Sequence, residues 1–227
     1  MVLAAGADGT SKGSGEALTA LCEIYWYPLY AFLRSRGYSP EDAQDLTQGF
    51  FAQILEKHFF KQADPVKGRF RSFLLASLKH FAANEWDRAS TRKRGGGTLL
   101  VPLEFETAES RFLVEPPTDE TPERIFDRRW ALSLLDRVMS RLAALAGEER
   151  KKRVFEALKT YLVGDMPQPS YADAAATLGM SEGAVKVAVH RLRGQFRALV
   201  RDEIAHTVSS PEEIDDELQH LWSAVAR

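Results

Sequence analysis

The stretch SYADAAATLGMSEGAVKVAVHRLRGQFRALVR, residues 170–201, leaves a chain little freedom in how it folds. Ser170 stands where a helix N-cap belongs, and Asp173 follows three residues later, the spacing of a capping box. The short Ala-rich helix that starts there offers Ala174, Ala175 and Leu178 to a core and stops at Gly179. Glycine is the residue that most readily takes the left-handed turn ending one helix and admitting the next. Ser181 is placed to cap a second helix, with Glu182 in its positively polarised first turn. Val185, Val189 and Leu192 recur at i, i+4 and i+7 and face inward, while Lys186, His190, Arg191, Arg193 and Arg197 lie largely elsewhere on the surface. A short helix, a Gly turn and a basic second helix make a helix-turn-helix, whose second helix fits the major groove of duplex DNA.

The rest of the chain is also helical in pattern. From about Glu16, Leu18, Leu21, Cys22, Tyr25, Leu29, Phe32 and Leu33 recur at helical spacing up to Gly37, with Pro28 expected to kink the helix or weaken one turn. Ser39-Pro40-Glu41-Asp42 is a strong start signal, with Ser as cap, Pro at the first helical position and acids in the first turn. The helix it opens turns Ala43, Leu46, Phe50 and Ile54 inward and shows Asp45, Gln48, Gln53 and Glu56 on its other face. Phe59 to Gly68 reads as a loop. A third helix, from about Arg69 to Ser90, buries Phe70, Phe73, Leu74, Ser77 and Phe81 and ends near the basic cluster TRKRGGG. Lys79, His80, Asn84, Trp86, Arg88 and Arg92 stud it, and cations interleaved with aromatics suit single-stranded DNA, where cations follow phosphates and rings stack on bases.

Residues 95–121 change character, with a Gly run, three prolines and many acids, and read as a mostly unstructured linker. Thr121-Pro122-Glu123 opens another helix, with Ile125, Phe126, Trp130, Leu134, Leu135, Val138, Leu142 and Leu145 inward and Gly147 at its end. A further amphipathic helix spans Glu149 to Leu162 and leads to the helix-turn-helix. Beyond Arg201 comes an acidic tail, in which residues 202–226 hold seven carboxylates and no Lys or Arg. There Ser210-Pro211-Glu212-Glu213 reads as a capping box, and Ile214, Leu218, Leu221, Trp222 and Val225 form one apolar stripe behind Asp215, Asp216 and Glu217.

No stretch sustains strand alternation, so the expected fold is all-α, with two small helical domains joined by a flexible linker and the helix-turn-helix in the second. The boundaries are 1–15 for a disordered N-terminus, 16–94 for the first domain, 95–121 for the linker, 122–205 for the second domain and 206–227 for the acidic helical extension. Hydrophobic content of 44% and charged content of 27% are ordinary for a globular chain, and the net charge of −2 averages regions of opposite sign. Lone Cys22 cannot form an internal disulfide and reads as a buried thiol in a reducing interior. Neither a signal peptide nor a membrane-length apolar run is present, so a cytoplasmic location is expected.

With both basic modules in view, the chain resembles bacterial sigma factors of the extracytoplasmic-function class, which carry only the two helical domains conventionally numbered two and four. The likeness covers about Ala17 to Ser90 and Glu123 to Ala205. It is carried by YPLYAFLRSRGYSPEDAQDLTQGFF and GRFRSFLLASLKHFAANEWDR in the first domain, and by SYADAAATLGMSEGAVKVAVHRLRGQFR in the second. The resemblance implies that the helix with Asp45, Leu46 and Gln48 binds the clamp coiled coil of core RNA polymerase. It implies that the loop Phe59–Arg69 captures a flipped base of the non-template strand. Phe70, Arg71, Lys79, His80, Asn84 and Arg88 would hold the melted minus-ten strand, and Ser181 to Arg193, with Lys186, His190 and Arg191, would read the minus-thirty-five duplex. Gly49 stands where the family usually has an acid after DLxQ, and His80 where Asn is common. Regulation would come from a separate anti-sigma protein or from self-inhibition by the acidic tail.

Two other classes compete. A dimeric helix-turn-helix regulator of duplex operators explains residues 170–201 but leaves the aromatic and basic module at 59–94 without a task. An enzyme would need a constellation that is missing. His58, His80, His190, His206 and His220 show no metal-ligand spacing, and Gly95–Gly97 follow a basic cluster rather than leading into a phosphate-binding helix. No catalytic residue, metal or cofactor is therefore expected.

Overall fold

A computed structural model describes residues 12–56, 69–91, 105–114, 119–162, 168–208 and 210–226, and every regular element among them is helical. In chain order these are α1 (Lys12–Ser35), α2 (Pro40–Glu56), α3 (Phe70–Thr91), α4 (Phe105–Val114), α5 (Pro122–Leu145), α6 (Glu149–Leu158) with a 3-10 turn (Lys159–Leu162), α7 (Tyr171–Leu178), α8 (Glu182–Ala205) and α9 (Glu213–Val225). None is long and apolar enough to cross a membrane. The chain divides into two compact units, Met1–Ser133 with Ile204–Arg227, and Leu134–Glu203.

Local signals set most of the helix ends. The Ser39 hydroxyl accepts from the Asp42 amide at 3.1 Å, and Pro40 is the first residue of α2. Gly37 and Gly147 take φ of +90° and +54°, in the left-handed region that a residue with a Cβ enters only at a cost. The acidic tail behaves otherwise. Instead of a Ser210 cap with Pro211 in the first turn, α9 starts at Glu213, and its flanking Glu212 (φ −66°, ψ −27°) makes no side-chain cap bond. Residues 210–212 form a turn whose Pro211 carbonyl accepts from the Ile214 amide at 3.3 Å.

In the first unit α1 is the centre. Leu21, Ile24, Tyr25, Leu29 and Phe32 are buried with Ala43, Phe50 and Ile54 of α2 and with Phe70, Leu74 and Leu78 of α3. Tyr25 meets Phe70 edge to face at 5.6 Å, and Phe50 meets Phe81 at 5.7 Å. Full burial of such a side chain stabilises by about 1.5–3 kcal/mol. Pro28 is buried inside α1, which continues through it.

Residues 105–114 correct the expectation of an unstructured linker, because they form α4 and pack on α1. Its anchor is Glu109, which accepts from Arg34 Nε at 3.0 Å, from Arg34 Nη2 at 2.8 Å and from the Tyr30 hydroxyl. The Arg34 guanidinium, then the Tyr30 hydroxyl, hold the Glu109 carboxyl below the usual carboxylate range. Around it Ala108 is buried, and Arg34 lies 5.1 Å over the Phe112 ring.

The start of α5 and the whole of α9 belong to this first unit. Phe126 and Trp130 of α5 and Ile214 and Leu221 of α9 are buried. On α9 the inward row is Ile214, Glu217 and Leu221, so an acid expected on the outer face lies inside at 2% exposure, and Trp222 is 41% exposed. The reason is an arginine partner, described below, that the helix periodicity cannot reveal.

The second unit packs Leu134, Val138 and Leu142 together with Phe155, Leu158, Tyr161, Val185, Val189 and Phe196 as its buried residues. Glu203, 1% exposed, accepts from Arg137 Nε at 3.1 Å and Arg141 Nη1 at 2.7 Å, and Arg141 also reaches Asp202 at 2.8 Å. Leu145, expected inward, is instead 68% exposed in the last turn of α5, where Leu142 one turn earlier takes the core position.

Burial pushes the Cys22 thiol up from 9.0 to about 12, with the neighbouring Glu23 charge adding to it. The folded value lies above the ordinary one, so this thiol's contribution to stability is full below pH 9.0 and is lost as pH rises toward 12. Native protein at pH 8 should therefore resist thiol-specific alkylation, and denatured protein should react at once. Stoichiometric labelling of the folded chain, followed by mass spectrometry, would contradict this burial.

Candidate functional site

The residues expected to touch DNA in the second unit sit on a rigid frame. The Ser170 hydroxyl accepts from the Asp173 amide at 3.1 Å and the Asp173 carboxylate accepts from the Ser170 amide at 3.3 Å, the reciprocal capping box expected at the start of α7. At its end Gly179 takes φ +63°, ψ +37°, and its amide donates back to the Ala175 and Ala176 carbonyls. Two residues later the Ser181 hydroxyl accepts from the Ala184 amide at 3.2 Å at the start of α8. Ala174, Ala175, Val185 and Val189 share a buried cluster with Leu158 and Tyr161, which joins α7 and α8 to the 3-10 turn.

Tyr161 is buried, as the amphipathic pattern of residues 149–162 predicts, but its bonding and its partner Tyr171 are support that sequence reading missed. The Tyr161 hydroxyl donates to the Pro169 carbonyl at 2.7 Å, and its ring stacks on Tyr171 at 5.3 Å with an interplanar angle of 6°. Arg193 donates through Nε and Nη2 to the Tyr161 carbonyl, both at 3.1 Å. Arg193 thereby pins α8 to the turn before α7. The signal available in the sequence was the aromatic pair flanking the Pro167–Ser170 segment, whose packing role has no fixed spacing.

The basic residues of α8 do not form one face. Lys186 and His190 are exposed and about 40° apart around the helix. Arg197 is exposed as well and shares their sector. Lys186 Nζ lies 5.6 Å over the Tyr171 ring. Arg191 is exposed but stands about 140° from Lys186. It borders a groove of about 470 Å³ with Leu142, Leu145, Val154 and Leu192, where Arg150 adds positive charge and Lys151 is paired with Glu148 at 3.1 Å.

In the first unit the expected strand-binding residues separate into two groups. Phe70 and Arg71 are buried, at 5% and 6% exposure. Phe70 packs on Tyr25, and Arg71 donates through Nε to Glu217 at 2.6 Å and through Nη1 to Asp127 at 2.5 Å, with its guanidinium 5.1 Å over Trp130. Neither reaches solvent in this arrangement, which corrects the DNA-facing place that the resemblance implied for both, while Phe70 keeps the inward position that helical spacing predicted. Lys79, His80 and Asn84 are exposed. Lys79 Nζ donates to Glu123 at 2.7 Å, and that ammonium holds the Glu123 carboxyl below its usual range. The side chains of Trp86 and Arg88, the loop expected to capture a base and the basic cluster at 92–94 lie outside the described residues.

On α2, Asp45 is exposed, while Leu46 and Gln48 are half-buried beside it. Thr47 between them is buried and donates to the Ala43 carbonyl at 2.6 Å. Gly49 has a packing reason: a Cβ there would come within 3.2 Å of the Phe81 ring, so the acid common at this place in the resembled family would crowd the α2–α3 contact. Among the described residues no group of three or more His, Cys, Asp or Glu side chains could hold a metal ion.

Compared with protein-family models, with curated proteins and with solved structures, the chain matches none.

The contrast between Arg193 and Lys186 is measurable. Arg193→Ala should lower unfolding free energy by about 1–2 kcal/mol through loss of the charged donors on Tyr161, while Lys186→Ala should stay within about 0.5 kcal/mol of the parent, as exposed substitutions do. Urea titration of both variants checks this, and equal stabilities would remove the pinning role.

Proposed function

We propose that this chain is an alternative sigma factor of the extracytoplasmic-function class, which binds core RNA polymerase and directs promoter recognition, DNA melting and transcription initiation. The observation that carries the reading is the α7–Gly179–α8 frame, a short capped helix, a left-handed glycine and a long helix presenting Lys186, His190 and Arg197 outward. The spacing of this frame supports a helix-turn-helix that enters the major groove with the first turns of α8. The resemblance of both sequence modules, in order along the chain, supports the sigma-factor class over a duplex-operator regulator. The first helical domain would take the melted strand through the exposed part of α3, with His80 and Asn84 one turn apart. The role is non-catalytic and belongs in the cytoplasm, where core polymerase works.

Each domain gains from the other, because two weak contacts on one chain raise effective concentration at the second once the first is made. Polymerase would fix their spacing. Asp45 is the acid on α2 offered to a basic partner surface, flanked by Leu46 and Gln48 as the apolar and hydrogen-bonding parts of the same contact.

Run-off transcription with purified core polymerase on candidate promoters tests the class directly, and activity confined to symmetric operators without polymerase would favour the dimeric regulator. Lys186→Ala should cost about 1–3 kcal/mol at the duplex element and relax its specificity, as loss of a base contact does. Arg191→Ala, on the groove side of α8, should weaken all sequences alike and reduce the salt slope by about one, as loss of a phosphate contact does. Asp45→Arg should abolish co-purification with core polymerase while the melting curve is retained, and normal co-purification would remove α2 as the polymerase contact.

A further inference from the structure

Between Arg69 and Glu85 the segment that begins α3 contains three cations, Arg69, Arg71 and Lys79. Each is met by a carboxylate from far along the chain. Arg69 Nε lies 3.2 Å from Glu217, Arg71 bonds both Glu217 and Asp127, and Lys79 bonds Glu123. Two of these carboxylates come from the first turns of α5 and the third from the inward row of α9. Apolar contact accompanies the charges, since Ile214 and Leu221 of α9 are buried beside Glu217. His220 of α9 stacks obliquely near Trp130 at 6.1 Å, with its Nε2 3.3 Å from Asp127.

A carboxylate oxygen bonded to a guanidinium N–H takes the place that a phosphate oxygen would take. We infer that α9, with the first turns of α5, is a built-in mask, its carboxylates occupying the cations of α3 that would otherwise take the phosphates of a melted DNA strand. The inference rests on the sigma-factor reading above, and it locates the target of the acidic tail on the strand-binding helix rather than on α8. Glu217 is the central residue of the mask, because it engages two arginines and is buried between them. Glu123 is a second, exposed part of it. Strand binding and α9 docking then exclude each other, and by linkage each weakens the other to the same degree.

The test uses the full chain and a fluorescently labelled mixed-sequence single-stranded DNA of about 20 nucleotides, read by anisotropy at low salt, with hydrogen exchange of residues 213–225 followed in parallel. If the open form is about one-tenth populated, Glu217→Gln should tighten binding about tenfold, because apparent affinity scales with the competent fraction. Glu123→Gln, on an exposed pair that the fold does not depend on, should give a smaller gain in the same direction, and it keeps the test valid if Glu217→Gln melts early. Adding Arg71→Ala to the Glu217→Gln chain should remove the gain, which a merely loosened fold would not predict. Saturating DNA should speed exchange at residues 213–225 of the parent protein. Folded Glu217→Gln and Glu123→Gln chains with parental affinity, or a tail equally protected with and without bound DNA, would overturn the mask while leaving polymerase-dependent transcription intact. Absence of single-strand binding by every variant, together with absence of run-off product, would instead remove the sigma-factor reading and the mask with it.

Discussion

A buried guanidinium organises the first unit. Arg71 is 6% exposed, and a charge so placed is tolerated only where partners replace the water it has lost. Three do so: Glu217 of α9, Asp127 of α5 and the face of Trp130. The residues are 56 and 146 positions away from Arg71 for Asp127 and Glu217. One cation therefore draws the beginning of α5 and the end of the described chain into the interior around α3. Removing one partner of a buried pair costs about 3–5 kcal/mol, since the other is left charged without compensation.

The same device recurs in the second unit. Glu203 is 1% exposed and holds Arg137 and Arg141, while Arg193 holds the Tyr161 carbonyl. Arginine suits these places because its planar fork meets two acceptors at once and keeps its charge when desolvated. The consequence for function is a division of labour among basic residues that look alike in one dimension. Arg71, Arg137, Arg141 and Arg193 bind the protein to itself. Lys186, His190, Arg191 and Arg197 face outward and are placed to meet a ligand without rearrangement, whereas Arg193, though exposed, is held on the Tyr161 carbonyl.

The α4 contact shows a third use of a buried or half-buried ion pair. Arg34 and Tyr30 on α1 hold Glu109, and this contact turns a Pro-flanked acidic stretch into an ordered helix. Local composition favoured a linker there, with prolines and like charges on either side. The fold overrode composition because α1 offered a cation and a phenol at the right separation.

What the sequence determined by itself is what depends on neighbours within about one helical turn. The helical class, the caps at Ser39, Ser170 and Ser181 and the left-handed turns at Gly37, Gly147 and Gly179 all follow from interactions between residues a few positions apart. So do the inward positions of Val185 and Val189, and with them the α7–α8 frame of the candidate site. The tertiary structure alone decided that Glu217 turns inward, that Arg71 is interior, that Leu145 lies in the open and that residues 105–114 are a helix. It also decided that the sector of α8 carrying Arg191 borders a groove. Helical periodicity ranks side chains by hydrophobicity around an axis, so it sends every charge outward. A charge goes inward only when an opposite charge from a distant segment is already there to receive it, and no local pattern records that distance.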